Sequence, residues 1–278
     1  ITPADHPPGS RVDDGLPETL EEVVSTYGHR YFKLKVGGNI RADIERLSAI
    51  AAVLDRAGQP YFVTIDGNEQ YADAEAALEF WNAVALEPRL ARLREATLFI
   101  EQPIARQTAL QTPVSPIAGV KPLIIDESDG ELDSFPRAKA LGYSGVSSKA
   151  CKGFYKSIIN KARCKVWNAE LAAEKYFMSA EDLTVHAGLS LQQDLVLVNL
   201  IGLTHVERNG HHFIDGFAER PASESEAFLA AHPDLYHLQN GRVRLKIMEG
   251  KLSIASLDCA GFGATETPDI ASLQVMPF

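Results

Sequence analysis

Short β-type runs alternate with longer amphipathic stretches along most of this chain, and that alternation restricts its fold more than any other feature. The runs are YFKLKV (31–36), YFVTID (61–66), ATLFIEQ (96–102), KPLIIDES (121–128), GVSSKA (145–150), YFMSA (176–180) and LTHVE (203–207). Between them lie helical patterns such as IRADIERLSAIAAVLDRAG and DAEAALEFWNAVALEPRLARL. Successive runs start roughly thirty residues apart, the length of one strand–helix unit. Strands and helices in this order imply parallel pairing with right-handed crossovers.

A closed barrel of this kind has eight strands, and the runs above supply one fewer. The shortfall sits at the front. Prolines 3, 7, 8 and 17 keep residues 1–17 from forming a central strand, and ETLEEVVSTY (18–27) already reads as a helix. The expected fold is therefore α/β: a TIM-like (β/α)7β barrel lacking its first strand, with a C-terminal helix and hairpin extension. Residues 1–17 are expected to be irregular, 18–220 to form the barrel, and 221–278 to form the extension, packed on the barrel or on a missing capping domain. Within that extension PASESEAFLAA reads as a helix, and GRVRLKIMEGKLSIASL as a hairpin turning at Glu249-Gly250. An open seam beside strand 31–36 would favour association, so a homo-oligomer is expected.

Composition excludes several classes. A chain of 278 residues with 45% hydrophobic and 23% charged residues builds a core and is not disordered. A formal net charge of −10 argues against nucleic acid and anionic membranes as partners. Cys151, Cys164 and Cys259 are odd in number and form no C-x-x-C pair, which points away from zinc or a disulfide framework and toward a reducing cytoplasm. The longest apolar stretch, Leu195 to Leu203, is interrupted by Asn199 and is too short for a bilayer.

The acidic residues carry the chemistry. Asp66, Glu101 and Asp126-Glu127 each end an apolar run. In a parallel barrel these ends meet at the C-terminal face, where active sites are built. Three carboxylates in a partly dry cleft repel one another unless a cation joins them. All-oxygen ligation with room for water and substrate suits Mg²⁺, with Mn²⁺ as the alternative. Each acid alone is equally well a helix cap; three on successive strands are not. Asp126 and Glu127 compete for the third ligand position because strand neighbours point opposite ways, and Asp126 is preferred.

Lys33 and Lys35 are two apart, so they share a face, expected to be the barrel interior. Burial and a like-charged neighbour would lower their pKa values and make one a usable base. Lys149 ends a run on the far side and is placed to serve the opposite face of the same substrate carbon. Its plainer reading is a solvated lysine at a helix entry, with Lys152 and Lys156 nearby. Asn68 is a candidate contact to a substrate oxygen, or a turn residue; Glu207 is a candidate substrate contact. Glu181, Asp182 and His186 are placed near the site, with capping the more natural role for His186. His211-His212 is read as loop rather than as a metal pair, and Gly37-Gly38 as easing a turn.

The pieces FKLKVGG (32–38), TIDGNEQY (64–71), FIEQPI (99–104), IIDES (124–128) and SSKACKG (147–153), in this order and spacing, resemble the enolase superfamily. The likeness is to its mandelate racemase and muconate-lactonizing branches, and more to the latter. The closing RVRLKIMEGKLSIASLDCAGFG is similar to that family's C-terminal stretch. The resemblance implies Asp66, Glu101 and Asp126 as Mg²⁺ ligands, Lys35 and Lys149 as acid/base residues, and Lys33 as tuning Lys35 and holding the substrate carboxylate. It implies an isomerase or lyase that removes the proton next to a small substrate's carboxylate through an enolate: a racemase, epimerase, cycloisomerase or acid-sugar dehydratase. Family members also carry an N-terminal capping domain that selects substrate. Rival readings are a barrel aldolase in which a strand lysine forms a Schiff base, and a non-catalytic barrel fragment.

Overall fold

The computed structural model describes residues 1–5, 9–12, 14–181, 185–208 and 210–273; Pro7, Pro8 and Asp182 lie outside them. The chain divides into two compact units, one of residues 1–11 with 17–180 and the other of residues 12–16 with 181–278.

The first unit is a six-stranded parallel sheet in sequential order, curled as half a barrel and built from β1 (Tyr31–Lys35), β2 (Phe62–Asp66), β3 (Thr97–Glu101), β4 (Leu123–Ile125), β5 (Gly145–Ser148) and β6 (Phe177–Ala180). Local chemistry starts its helices. Thr19 and Glu22 form a reciprocal capping box for Leu20–Tyr27, and Gly28 closes that helix in the left-handed conformation. Asn39 and Asp73 cap Ile40–Arg56 and Ala74–Leu86 by accepting the amides of Ala42 and Ala76.

Period-two geometry sorts the strands into two faces. Val63, Ile65, Ile100, Leu123, Ile125 and Val146 are buried on the side that also receives Leu47, Leu54, Phe80 and Val84 from the helices. Burying each such side chain contributes roughly 1.5–3 kcal/mol. On the concave side, register aligns Lys33 with Thr64, Thr64 with Phe99, Ile124 with Gly145 and Gly145 with Phe177. The rings of Phe99 and Phe177 meet at 5.4 Å between centroids. One pleat further along, Lys35 aligns with Asp66 and Asp66 with Glu101. Between β3 and β4 the register is offset, with Ile124 opposite Glu101 and Asp126 one pleat further on, while Phe99, Ile124 and Phe177 gather around Gly145 as an apolar layer.

The second unit contains helices Leu189–Leu200, Gly210–Phe213 and Ala222–Ala231 and an antiparallel hairpin of β7 (Tyr236–Gln239) and β8 (Arg242–Leu245). Its core gathers Leu191, Leu195, Phe217, Phe228, Leu235 and Tyr236. The helix Ala222–Ala231 coincides with the expected PASESEAFLAA helix.

Two expectations need correction here. Residues 203–207 are not a strand: helix Leu189–Leu200 closes with Gly202 at φ 68° and with the Leu203 amide on the Val198 carbonyl. That 6→1 closure takes up the start of the run, and only Glu207 pairs, in an isolated parallel bridge with Glu181. The hairpin turns at Asn240-Gly241 rather than at Glu249-Gly250. Asn240 and Gly241 both hold positive φ, 51° and 75°, as a two-residue turn requires. Glu249-Gly250 makes a second tight turn, but its flanks pair only through the bridge of Met248 with Lys251.

All three cysteines are free. Among the described residues, no helix is long and apolar enough to cross a membrane.

The apolar layer fits because β5 contributes no side chain to it. A Cβ on Gly145 would stand 2.6 Å from Ile124 Cγ2 and 2.8 Å from the Phe177 carbonyl oxygen. Gly145→Ala is therefore expected to lower the unfolding free energy by about 1–3 kcal/mol in urea titration; an unchanged midpoint and slope would contradict this packing.

Candidate active site

Asp66, Glu101 and Asp126 stand at or just past the C-terminal ends of β2, β3 and β4, and all three are buried. Lys33 Nζ lies 3.1 Å from Asp66 Oδ2 and 3.1 Å from Glu101 Oε2, so one ammonium spans the first two acids. A carboxylate oxygen of Glu101 lies within 4.8 Å of one of Asp126. The structure thus brings the three acids together.

Lysines flank them on both sides. Lys35 Nζ, from β1, lies 3.0 Å from Asp66 Oδ2 and donates to Asn68 Oδ1 at 2.7 Å. Lys149 Nζ, just past β5, donates to Asp126 Oδ2 at 2.8 Å. Only one member of the Lys33/Lys35 pair is buried, contrary to the expectation for both. The Lys33 side chain is 7% exposed, whereas Lys35 is 53% exposed. Lys35 is the last residue of its strand, and its ammonium rises to the loop at Asn68.

Asn68 sits at φ 40°, donates its amide to Asp66 Oδ1 and reaches Glu127 Oε1 with Nδ2 at 3.3 Å. Asp126 and Glu127 part company where the chain turns after β4. Asp126 is buried against Lys149 and Lys152, while half-buried Glu127 meets the loop asparagine. Glu207, in the second unit, makes its bridge with Glu181. His186 accepts the Gly188 amide within its own loop.

Two residues at the site escaped the sequence reading. Lys152 donates to both Asp126 Oδ1 and the Asp126 carbonyl, and also to the Ser147 carbonyl at 3.0 Å. Its signal was the second lysine of SSKACKG, three residues after Lys149. Gln102, next to Glu101, is completely buried and bonded to the 126–128 segment. Nothing in its residue type foretold that.

Charge and burial set the protonation states. Burial lifts the Glu101 carboxyl to about 7, with the Asp66 and Asp126 charges adding to the lift and the Lys33 ammonium opposing it. Burial also pushes Asp126 upward, but Lys152 and Lys149 outweigh it and hold that carboxyl low. Burial raises Glu127, helped by the charge of Asp126, and lowers Lys152.

These donors fit a divalent cation. Glu101 Oε1 is buried with no hydrogen-bond partner among the described residues. Buried carboxylate oxygens without a donor are costly, and a hard cation with oxygen ligands supplies what they lack.

The family model described as "Enolase C-terminal domain-like" matches residues 15–195. No curated protein resembles the chain closely in sequence. Among solved structures, the chain is similar to an N-succinyl Arg/Lys racemase from Bacillus cereus, at 18% identity and TM-score 0.52, over 85% of this chain and 57% of that one. It is also similar to a mandelate racemase/muconate lactonizing enzyme from Roseiflexus, at 15% identity and TM-score 0.53, over 68% and 51%. A mandelate racemase/muconate lactonizing protein from Herpetosiphon aurantiacus aligns at 18% identity and TM-score 0.50, over 67% and 48%. The chain spans about half the length of these structures.

The Glu101 environment makes a pH prediction for protein held in chelator. Its folded pKa lies above the ordinary carboxylate value of 4.5, so protonated Glu101 favours the folded state. That contribution is fully present below pH 4.5 and is lost as pH rises through about 7. The stability of the native sequence relative to Glu101→Gln should therefore fall between those two pH values in denaturant titrations. A difference that stays flat across the window would show that burial does not perturb Glu101.

Proposed function

The chain belongs to the enolase C-terminal domain-like family, and on that premise we propose that it is the barrel part of a Mg²⁺-dependent isomerase or lyase that abstracts the proton next to a substrate carboxylate. One observation carries this reading: three strand-end acids on adjacent strands are flanked by strand-end lysines, each lysine ion-paired to the acid nearest it.

In this reading Asp66, Glu101 and Asp126 would hold the Mg²⁺, with Mn²⁺ as a substitute. When bound, the ion supplies positive charge where the substrate carboxylate gains electron density. The chain's own residues do the rest. Lys33, buried between Asp66 and Glu101, presents an ammonium that orients the substrate carboxylate. Lys35 Nζ accepts or returns the α-proton from one flank, and Lys149 Nζ serves the other. With both active, a proton leaves one face of the carbon and returns on the opposite face, giving racemisation or epimerisation. With only one active, the other stabilises charge while a leaving group departs. The apolar layer of Phe99, Ile124 and Phe177 beside the acids keeps water from that side, which strengthens each charge interaction next to it. Asn68 is assigned as a substrate contact on its loop position. The substrate is a small carboxylate, and the assembly in this reading is a homo-oligomer.

The test is α-proton exchange in D₂O with Mg²⁺, using full-length protein against acid sugars, dipeptides and N-acylamino acids. Exchange should appear for at least one class and vanish in excess chelator. Lys35→Ala and Lys149→Ala should each lose about 10²–10⁴-fold of exchange, one per substrate enantiomer. Exchange unimpaired in both variants, or none with any carboxylate, would overturn the assignment. A covalent adduct trapped by borohydride would favour Schiff-base chemistry instead.

A further inference from the structure

Gln102 is polar, fully buried and held at φ 32°, a left-handed conformation that side chains other than glycine seldom adopt. It nonetheless completes its hydrogen-bonding capacity. Oε1 accepts from the amides of Asp126, at 2.8 Å, and Ser128, at 3.1 Å. Nε2 donates to the Ile104 carbonyl and to Ser128 Oγ, both at 2.8 Å. Two lone pairs and two N–H groups are all a carboxamide side chain has. Its main chain is equally engaged: the Gln102 amide donates to the Ile124 carbonyl, and its carbonyl accepts the Glu69 amide. One residue therefore ties together the chain ends leaving β2, β3 and β4, the three strands whose acids form the cluster.

The bonding pattern has a directional consequence. Oε1 takes the amides of residues 126 and 128 and skips residue 127. The Asp129 amide then returns to the Asp126 carbonyl, closing a turn straight after β4. Fixed in this way, residue 126 continues the inward series from Ile124, and its carboxylate reaches Lys149 and Lys152 beside Glu101. Residue 127 is turned toward Asn68. A slip of one residue in this segment would exchange the two acids.

We infer that Gln102 is a positioning residue that selects Asp126 over Glu127 for the acid cluster, acting through the backbone of residues 126–128. The consequence for ion binding rests on the reading that the cluster holds a divalent cation; the positioning itself does not. A glutamine suits the role because a buried carboxylate at 102 would face the Ile104 carbonyl with no proton to donate.

The experiment uses full-length protein, metal-free at first, with Gln102→Met as the variant of similar size. Amide hydrogen exchange at Asp126 and Ser128, read by NMR, should accelerate at least about tenfold while amides within β1–β3 keep their protection. Mn²⁺ affinity by calorimetry should fall by about 10–100-fold. Glu127→Gln should leave Mn²⁺ affinity unchanged in the native background and lower it further in Gln102→Met, where Glu127 is free to compete. Unchanged exchange at the two amides would overturn the inference, as would a general loss of protection throughout the sheet. If native protein binds no Mn²⁺, the metal reading fails, and the amide exchange still decides the positioning. Should Gln102→Met fail to fold, Gln102→Asn keeps the carboxamide on a stem one carbon shorter, which draws its oxygen away from the two amides. Faster exchange confined to Asp126 and Ser128 in that variant supports the inference, and unchanged exchange there overturns it.

Discussion

The structure depends on how three carboxylates are kept together away from water. Asp66, Glu101 and Asp126 are almost completely buried at the ends of adjacent strands, where their mutual repulsion and lost hydration act together. Ammonium groups answer both. Lys33 spans Asp66 and Glu101, Lys35 adds to Asp66, and Lys149 with Lys152 enclose Asp126. Buried ion pairs of this kind contribute little net stability, because desolvation offsets most of the Coulomb gain. Their concentration at one end of a parallel sheet is better explained by chemistry than by folding. Glu101 shows the balance left unfinished: its carboxyl is lifted to about 7, and one of its oxygens has no hydrogen-bond partner among the described residues.

The sheet delivers this arrangement through register. Parallel alignment puts Lys35, Asp66 and Glu101 on one level. The strand β4 is offset, with Ile124 opposite Glu101 and Asp126 one pleat further on, and Phe99, Ile124 and Phe177 gather as an apolar layer around Gly145. Gly145 makes room for that layer. The apolar layer dries the acids from one side. The tight loops hold them from the other, through the bonds of Gln102 and Asn68. Gly67 contributes as well, because a Cβ there would stand 2.5 Å from the Pro103 Cα. Close approach of the β2 and β3 loops requires glycine at that point.

Much of this was legible in one dimension. The strand–helix alternation named the parallel sheet, because hydrophobic period and turn composition are local properties. The acids at 66, 101 and 126 were legible for a related reason: in parallel strands, the last inward residues necessarily share one face. Lys33 and Lys35 could be placed together by the same period of two. The hairpin shows a legible signal misread, since Asn240-Gly241 carries the sequence of a two-residue turn more plainly than Glu249-Gly250 does.

What the sequence determined by itself was the class of fold and the end of the sheet at which the acids and lysines stand. Tertiary structure alone decided which lysine is buried, since that turns on where a strand stops and how far a long side chain reaches. It alone reduced residues 203–207 to a single bridge, because the preceding helix closed over their first amide. It also recruited Lys152 and Gln102 through bonds to backbone atoms of a distant segment. Such bonds depend on where a main-chain N–H or C=O comes to lie, and backbone groups are alike in every residue. No pattern of side chains can announce them before the chain has folded.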